Sequence, residues 1–254
     1  METALKFVIY MIIGFCAQMI DGTMGMAYGV SCRTFLKTTG VPAALASALT
    51  HLSEVPTTLA SGISHMKLKN VDKKLLLKLM IPGVIGGVIG AYLLTNKGDF
   101  LEPFIDVYLI VMGGIIISKA FSKKDKPPEE PGAYVYPLGL VGGFCDAAGG
   151  GGWGPIVTST MVATGYDVKR TIGTVNTAEF VVTMAETVAF IPVLAGEFLL
   201  YAEMVLAIVI GGVIAAPLAA KLCKKLPSKP LLGIVGTLII LLNVWNLAKY
   251  FGLV

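Results

Sequence analysis

Residues 14–29, GFCAQMIDGTMGMAYG, and residues 139–155, GLVGGFCDAAGGGGWGP, are one passage met twice. At a constant offset of 125 positions Gly14, Asp21, Gly25, Gly29 and Gly40 fall on Gly139, Asp146, Gly150, Gly154 and Gly165, and further along Glu54, Thr58, Gly86 and Gly87 fall on Glu179, Thr183, Gly211 and Gly212. The register needs no gap, so the chain is a duplication. Each copy runs an apolar stretch into an Asp, then into glycines, then into a second and shorter apolar stretch. Interrupted hydrophobic segments at corresponding places in two halves are a pointer to a transport site, because freed backbone groups at membrane depth survive only beside protein or water.

Composition agrees with a membrane setting. Of 254 residues 55% are hydrophobic and 14% charged, against about 25% charged in an ordinary soluble domain, and mean hydropathy is +0.79. The net charge of +4 comes from lysines clustered between apolar stretches, which is topology information and not a nucleic-acid footprint. Cys16, Cys32, Cys145 and Cys223 have no CxxC spacing and sit in or beside apolar segments, so neither a disulfide framework nor a metal site is expected. The first apolar stretch follows Glu2 and runs into Asp21-Gly22-Thr23 in place of a small-residue cleavage site, which reads as a retained helix.

Apolar stretches fall at 4–20, 26–39, 42–64, 75–95 and 103–120, then at 134–146, 153–164, 168–193, 202–220 and 230–248. Several approach the roughly 20 residues that span hydrocarbon. The expected fold is an all-α polytopic membrane protein of roughly eight to ten membrane segments, about five per half, with short or broken helices where the halves face each other. The expected units are a first repeat at 1–120, a cytoplasmic linker at 121–133 with Lys123, Lys124, Lys126, Pro127, Pro128 and Pro131, and a second repeat at 134–254.

Loop charge gives the orientation. Lys67, Lys69, Lys73, Lys74 and Lys78 follow the third segment, whereas the matching stretch around Gly196 to Glu203 holds Glu197 and Glu203 and no Lys or Arg. The next pair reverses: Lys97 is outnumbered by Asp99, Glu102 and Asp106, while its counterpart carries Lys221, Lys224, Lys225 and Lys229. Positive charge stays inside, so the two halves are expected to insert in opposite directions with both termini outside. Five passes per half, or three passes and a re-entrant hairpin, satisfy these charges equally.

The third segment of each half carries a polar stripe. His51, Glu54, Thr58, Ser61 and His65 recur at helical steps, matched by Asn176, Glu179, Thr183, Glu186 and Phe190. An ionisable group at bilayer depth costs about 2.5–3.5 kcal/mol on insertion scales, so the stripe faces a cavity or another helix. Thr58, Ser61 and Thr183 read equally well as interhelical hydrogen-bonding groups. Thr50, His51, Thr174 and Asn176 are candidate substrate-binding residues, and Glu54 and Glu179 candidate proton-coupling carboxylates. His65 and Glu186, near the ends of their helices, are expected to reach the membrane interface.

Short helices starting beyond Gly25 and beyond Gly150, Gly151 and Gly152 would direct N–H groups and a positive dipole end inward, which suits an anion. Arg33 reads either as a fixed counter-charge for that anion or as a side chain snorkelling to the surface. Asp21 and Asp146 read either as caps of the broken segments or as proton or cation sites opposed across the pseudo-symmetry axis.

Taken together, the two glycine passages, ALTHLSEVPTTLASGISHMKLKNVD at 48–72 and GYDVKRTIGTVNTAEF at 165–180 resemble the sulfite exporter family of membrane permeases, the TauE/SafE group, over nearly the whole chain. The resemblance implies transport of small sulfur-containing or carboxylated anions, such as sulfite, sulfoacetate or related organosulfonates, across the prokaryotic cytoplasmic membrane. One departure is that DGTMGMAYG lacks the glycine run of the second half. The expected partners are a small anion and the lipid bilayer, with no nucleic acid, no cofactor and no metal; monomer and homo-oligomer both stay open. Alternating access by a carrier is the favoured reading over an anion channel. A membrane-embedded metal enzyme would need His51 and Glu54 as ligands one turn apart, yet the second half offers Asn176 there, so an enzyme is not expected.

Overall fold

The computed structural model describes residues 2–121, 132–164, 166–223 and 228–253. Lys123, Lys124, Lys126, Pro127, Pro128 and Pro131 of the expected linker lie outside those residues, as do Gly165, Lys224 and Lys225. The described residues are helical throughout, in ten elements joined by short turns: α1 (Glu2–Met24), α2 (Tyr28–Thr38), α3 (Ala43–Lys67), α4 (Lys73–Phe121), α5 (Val135–Gly149), α6 (Ser159–Ala163, entered through a π-helical turn at Gly154–Thr158), α7 (Val168–Ala189), α8 (Ile191–Leu194), α9 (Phe198–Leu222) and α10 (Ser228–Tyr250).

Helix starts follow local chemistry. Asp72 Oδ1 accepts from the N–H groups of Lys74 and Leu75 to open α4, and Asp167 accepts from the Arg170 N–H to open α7. Pro42 precedes α3, and Gly40 at φ 95° makes the turn before it. Between the fourth and fifth expected segments the helical path breaks at Lys97 (φ −136°, ψ 22°), so the range labelled α4 is two helical arms that meet at a kink. Asp106, read from sequence as a loop charge, is fully buried in the second arm of α4 and accepts from Lys37 Nζ of α2 at 2.5 Å.

Among the described residues, three helical stretches are long and apolar enough to cross a membrane, Ala4–Met24, Lys73–Lys97 and Phe198–Leu222, and Pro103–Ser118 is a shorter one. Their outer faces show Ile12, Ile85 and Ile214, each more than half exposed, while Arg33, His51, Glu54, Asn176 and Glu186 are 0–1% exposed. That is the reverse of a water-soluble arrangement, and lipid is the solvent it suits.

α3 and α7 pack side by side in the middle; α9 lies against α3 and α1, and α4 against α7 and α5. Without a hydrophobic drive between helices in lipid, close backbone approach supplies the packing. Glycines of the repeat provide it crosswise: a methyl group built at Gly14 would lie 2.1 Å from the Ile208 carbonyl, one at Gly211 1.9 Å from that of Met11, and one at Gly86 2.0 Å from that of Leu140. Thus α1 of the first half seats on α9 of the second, and α5 of the second seats on the first arm of α4. The two halves interlock through matching positions.

Candidate functional site: the crossing of the two broken segments

Both glycine breaks meet at the centre. A methyl group at Gly29 would touch Gly151 (2.9 Å), and one at Gly154 would touch Met26 (2.4 Å) and the Gly25 carbonyl, so each break passes against the other half's break. Side chains reciprocate in the same way. Thr158 donates to the Gly25 carbonyl at 2.6 Å, and its counterpart Arg33 lays its stem on Gly150, where a methyl group would sit 1.7 Å from Cδ. Arg33 is fully buried, so of the two sequence readings surface snorkelling falls away.

The stripe residues face this crossing. His51 Nδ1 lies 3.3 Å from Glu54 Oε2 and 3.3 Å from Glu186 Oε2, with its ring stacked on Phe190 at a 5.8 Å centroid distance. Potential ligand atoms of His51, Glu54 and Asp146 lie within 4.8 Å of one another; His51 Nδ1 faces carboxylates and Asp146 Oδ1 accepts from the Gly152 and Trp153 N–H groups at 2.7 and 3.0 Å, while His51 Nε2 and Asp146 Oδ2 have no hydrogen-bond partner. The N–H groups at the start of the second short segment, expected to face an anion, are therefore occupied by Asp146.

Asn176 faces the first break: its Nδ2 donates to the Asp21 carbonyl at 3.5 Å, and its Oδ1 accepts from Ser61 Oγ at 2.6 Å. Gly25 turns the chain at φ 69°, its N–H donating to the Asp21 carbonyl. Unlike Asp146, Asp21 caps nothing: both carboxylate oxygens are buried without a hydrogen bond. Glu179, buried beside Asp21 and Glu54, also keeps one oxygen without a hydrogen-bond partner. Thr50 is fully buried with its hydroxyl unengaged. Thr174 is elsewhere engaged, accepting from the Asp72 N–H at 2.8 Å; two residues before Asn176, it points to the other side of α7.

Two sequence expectations are overturned. His65 and Glu186 do not reach the interface: both are fully buried. His65 Nε2 donates to the Gly22 carbonyl at 3.1 Å while Nδ1 accepts from Asn70 Nδ2, which fixes its tautomer and ties α3 to the first break. Glu186 belongs to the His51 cluster, and Gly87 makes room for it, since a methyl group there would lie 2.4 Å from Oε1. The stripe's own period carried this signal: Glu186 is two helical turns from Glu179. Tyr108, not singled out by sequence, donates to the Gly151 carbonyl at 3.3 Å and packs on Gly149.

At the surface of the bundle, Asp72 joins the halves. Burial opposes its ionisation, but hydrogen bonds from Tyr166 Oη at 2.6 Å and from the N–H groups of Leu75 and Lys74, with Arg170 nearby, hold its carboxyl below the usual range.

A helical bundle with apolar outer faces, short glycine-broken segments and ionisable side chains sealed at its centre defines a polytopic membrane protein of the transporter class. The chain belongs to the sulfite exporter TauE/SafE family, whose model matches residues 10–245. It is 39% identical over 251 residues to the "Probable membrane transporter protein YtnM" of Bacillus subtilis (strain 168), across 95% of this chain and 83% of that protein. No solved structure matches.

Proposed function

We propose that the protein is a secondary carrier of small sulfur-containing anions, sulfite, sulfoacetate or a related organosulfonate, across the prokaryotic cytoplasmic membrane. Its halves act as two inverted repeats that rock about the crossing of the breaks, exposing the site alternately to each side. The reciprocal contacts of Gly29 with Gly151 and of Gly154 with Met26 support a two-fold relation, and the opposite loop charges support inversion.

The observation that carries the reading is Arg33, a guanidinium with no surface exposure whose stem lies on the other half's glycine break. A cation kept at such depth is costly, and a sulfur oxyanion is the ligand chemistry that a planar fork of donors recognises. Thr50 and His51 complete the anion side. Glu54, hydrogen-bonded to His51, and its counterpart Glu179 couple transport to protons: anion arrival and proton uptake each offset the charge brought by the other, so the two binding events reinforce one another.

The test is flux in proteoliposomes. Sulfite or sulfoacetate uptake should saturate, accelerate in a proton gradient, and fall more than tenfold in Arg33→Met and His51→Ala. Glu54→Gln together with Glu179→Gln should remove the gradient's effect. Ohmic, non-saturating current would replace the carrier by a channel, and unchanged flux in both anion-side variants would remove the assigned site.

A further inference from the structure

We infer that the end of α1 holds a sodium ion, bound by Asp21, Gln18, Ser61 and Asn176. The Asp21 carboxylate is 1% exposed and neither of its oxygens has a hydrogen bond. Gln18, three residues earlier and on the same helix face, is fully buried with both amide atoms unpartnered. Buried polar atoms in this state normally have a partner, and two such side chains within one helical turn point to the same missing ligand.

The remaining donors converge on that place. A methyl group built at Gly22, the residue after Asp21, would lie 2.6 Å from Ala219 Cβ, 3.4 Å from Gln18 Nε2 and 3.7 Å from Ser61 Oγ, so Gln18 and Ser61 both reach the backbone beside Asp21. Ser61 Oγ donates to Asn176 Oδ1 and Asn176 Nδ2 donates to the Asp21 carbonyl, leaving lone pairs on both side-chain oxygens free to coordinate. α1 ends at Met24, so the negative end of its dipole lies at the site, and helix ends interrupted at membrane depth are where alkali cations bind.

The donor set selects the ion. All donors are hard oxygens, and the donor set contains one carboxylate, which matches a singly charged ion. Neighbouring carboxylates add negative potential: Glu54, Asp146 and Glu179 are within electrostatic reach of Asp21, the first facing His51 and the second capping Gly152 and Trp153. Sodium is the alkali ion that helix C-terminal ends and unwound carbonyls at membrane depth coordinate. The second half does not repeat the site, since Gln18 corresponds to Gly143, where a methyl group would lie 2.1 Å from the Gly83 carbonyl, and Ser61 corresponds to Glu186, which faces His51.

The test uses purified full-length protein in detergent at fixed pH and ionic strength, with choline replaced by sodium, potassium or calcium, and no anion substrate. Thermal unfolding and radioactive sodium binding are read together, because a ligand of the native state raises apparent stability with its concentration. Sodium should raise the midpoint saturably and bind once per chain, and potassium and calcium should not reproduce it. Asp21→Asn and Gln18→Met should each weaken sodium binding more than tenfold, the Met variant keeping the side chain's volume should the Asn variant fail to fold. No saturable sodium effect, an equal effect of potassium or calcium, or sodium affinity unchanged in the folded variants would overturn the site. Anion flux is not involved, so failure of the carrier reading and failure of this site give different results.

Discussion

The two breaks start from the same pattern and put their aspartates to opposite uses. In the second, four consecutive glycines let the chain double back, with Gly150 at φ 65° and Gly151 at φ 144°, so that two N–H groups close on Asp146. In the first, one glycine at φ 69° and the left-handed Ala27 make the turn, α2 begins with no side-chain cap, and the Asp21 carboxylate is left facing the centre. Glycine density, a property of the backbone, thus decides whether an Asp is a structural cap or a charge available to a ligand. The duplicated scaffold carries unlike chemistry in its two halves.

The largest expected effect tests that difference in space. Gly150→Ala would place a methyl group 1.7 Å from the buried Arg33 Cδ, whereas Gly25→Ala would place one 2.9 Å from the Thr158 hydroxyl and 3.4 Å from Ile172 Cα. Both carry the left-handed cost of about 1–2 kcal/mol, but only the first also displaces a buried guanidinium. Gly150→Ala is expected to prevent accumulation of folded protein in membranes, and Gly25→Ala to fold with a lowered melting temperature. Equal loss in the two would remove the distinction between a dense and a sparse break.

A smaller effect separates the aspartates. Asp146→Ala strands two buried donors, at about 1–3 kcal/mol each, and Asp146→Asn should recover part of the loss because an amide oxygen still accepts. Asp21→Ala strands no donor, so in sodium-free buffer its stability should match or exceed the parent's in thermal melts. A large loss there would mean that Asp21 is a cap after all.

Much of this was readable before any coordinates. The 125-residue offset located both breaks and both stripes, and the short second segments expected at 26–39 and 153–164 appear as α2 and as the π turn leading into α6. What sequence left undecided depends on backbone path. The denser glycine run after Asp146 is visible in the residue order, but that it makes Asp146 and not Asp21 a cap is not, since capping requires knowing which way the next turn folds. Likewise, Glu186 and His65 looked terminal by position along their helices, yet neighbouring segments and a connecting turn cover those ends. Thr174 carried a polar side chain in the right segment but on the wrong face.

The same contrast recurs, more weakly, at the turns that follow α3 and precede α9. Asp72 and its counterpart Glu197 both precede a long helix, but Asp72 accepts two helix N–H groups and the Tyr166 hydroxyl, whereas Glu197 makes no side-chain cap bond. Glu197→Gln should therefore leave stability within about 0.5 kcal/mol, while Asp72→Asn should destabilise at neutral pH. The pH dependence follows from linkage. Because the folded carboxyl of Asp72 is held below its unfolded value of about 3.9, its contribution is fully present above that value and is lost as pH falls through the folded one. Melting curves taken from pH 7 to pH 3 should thus show the gap between the parent and Asp72→Asn narrowing below about pH 4. A gap that stays constant over that range would mean that the ionised form of Asp72 contributes nothing to the join between the halves.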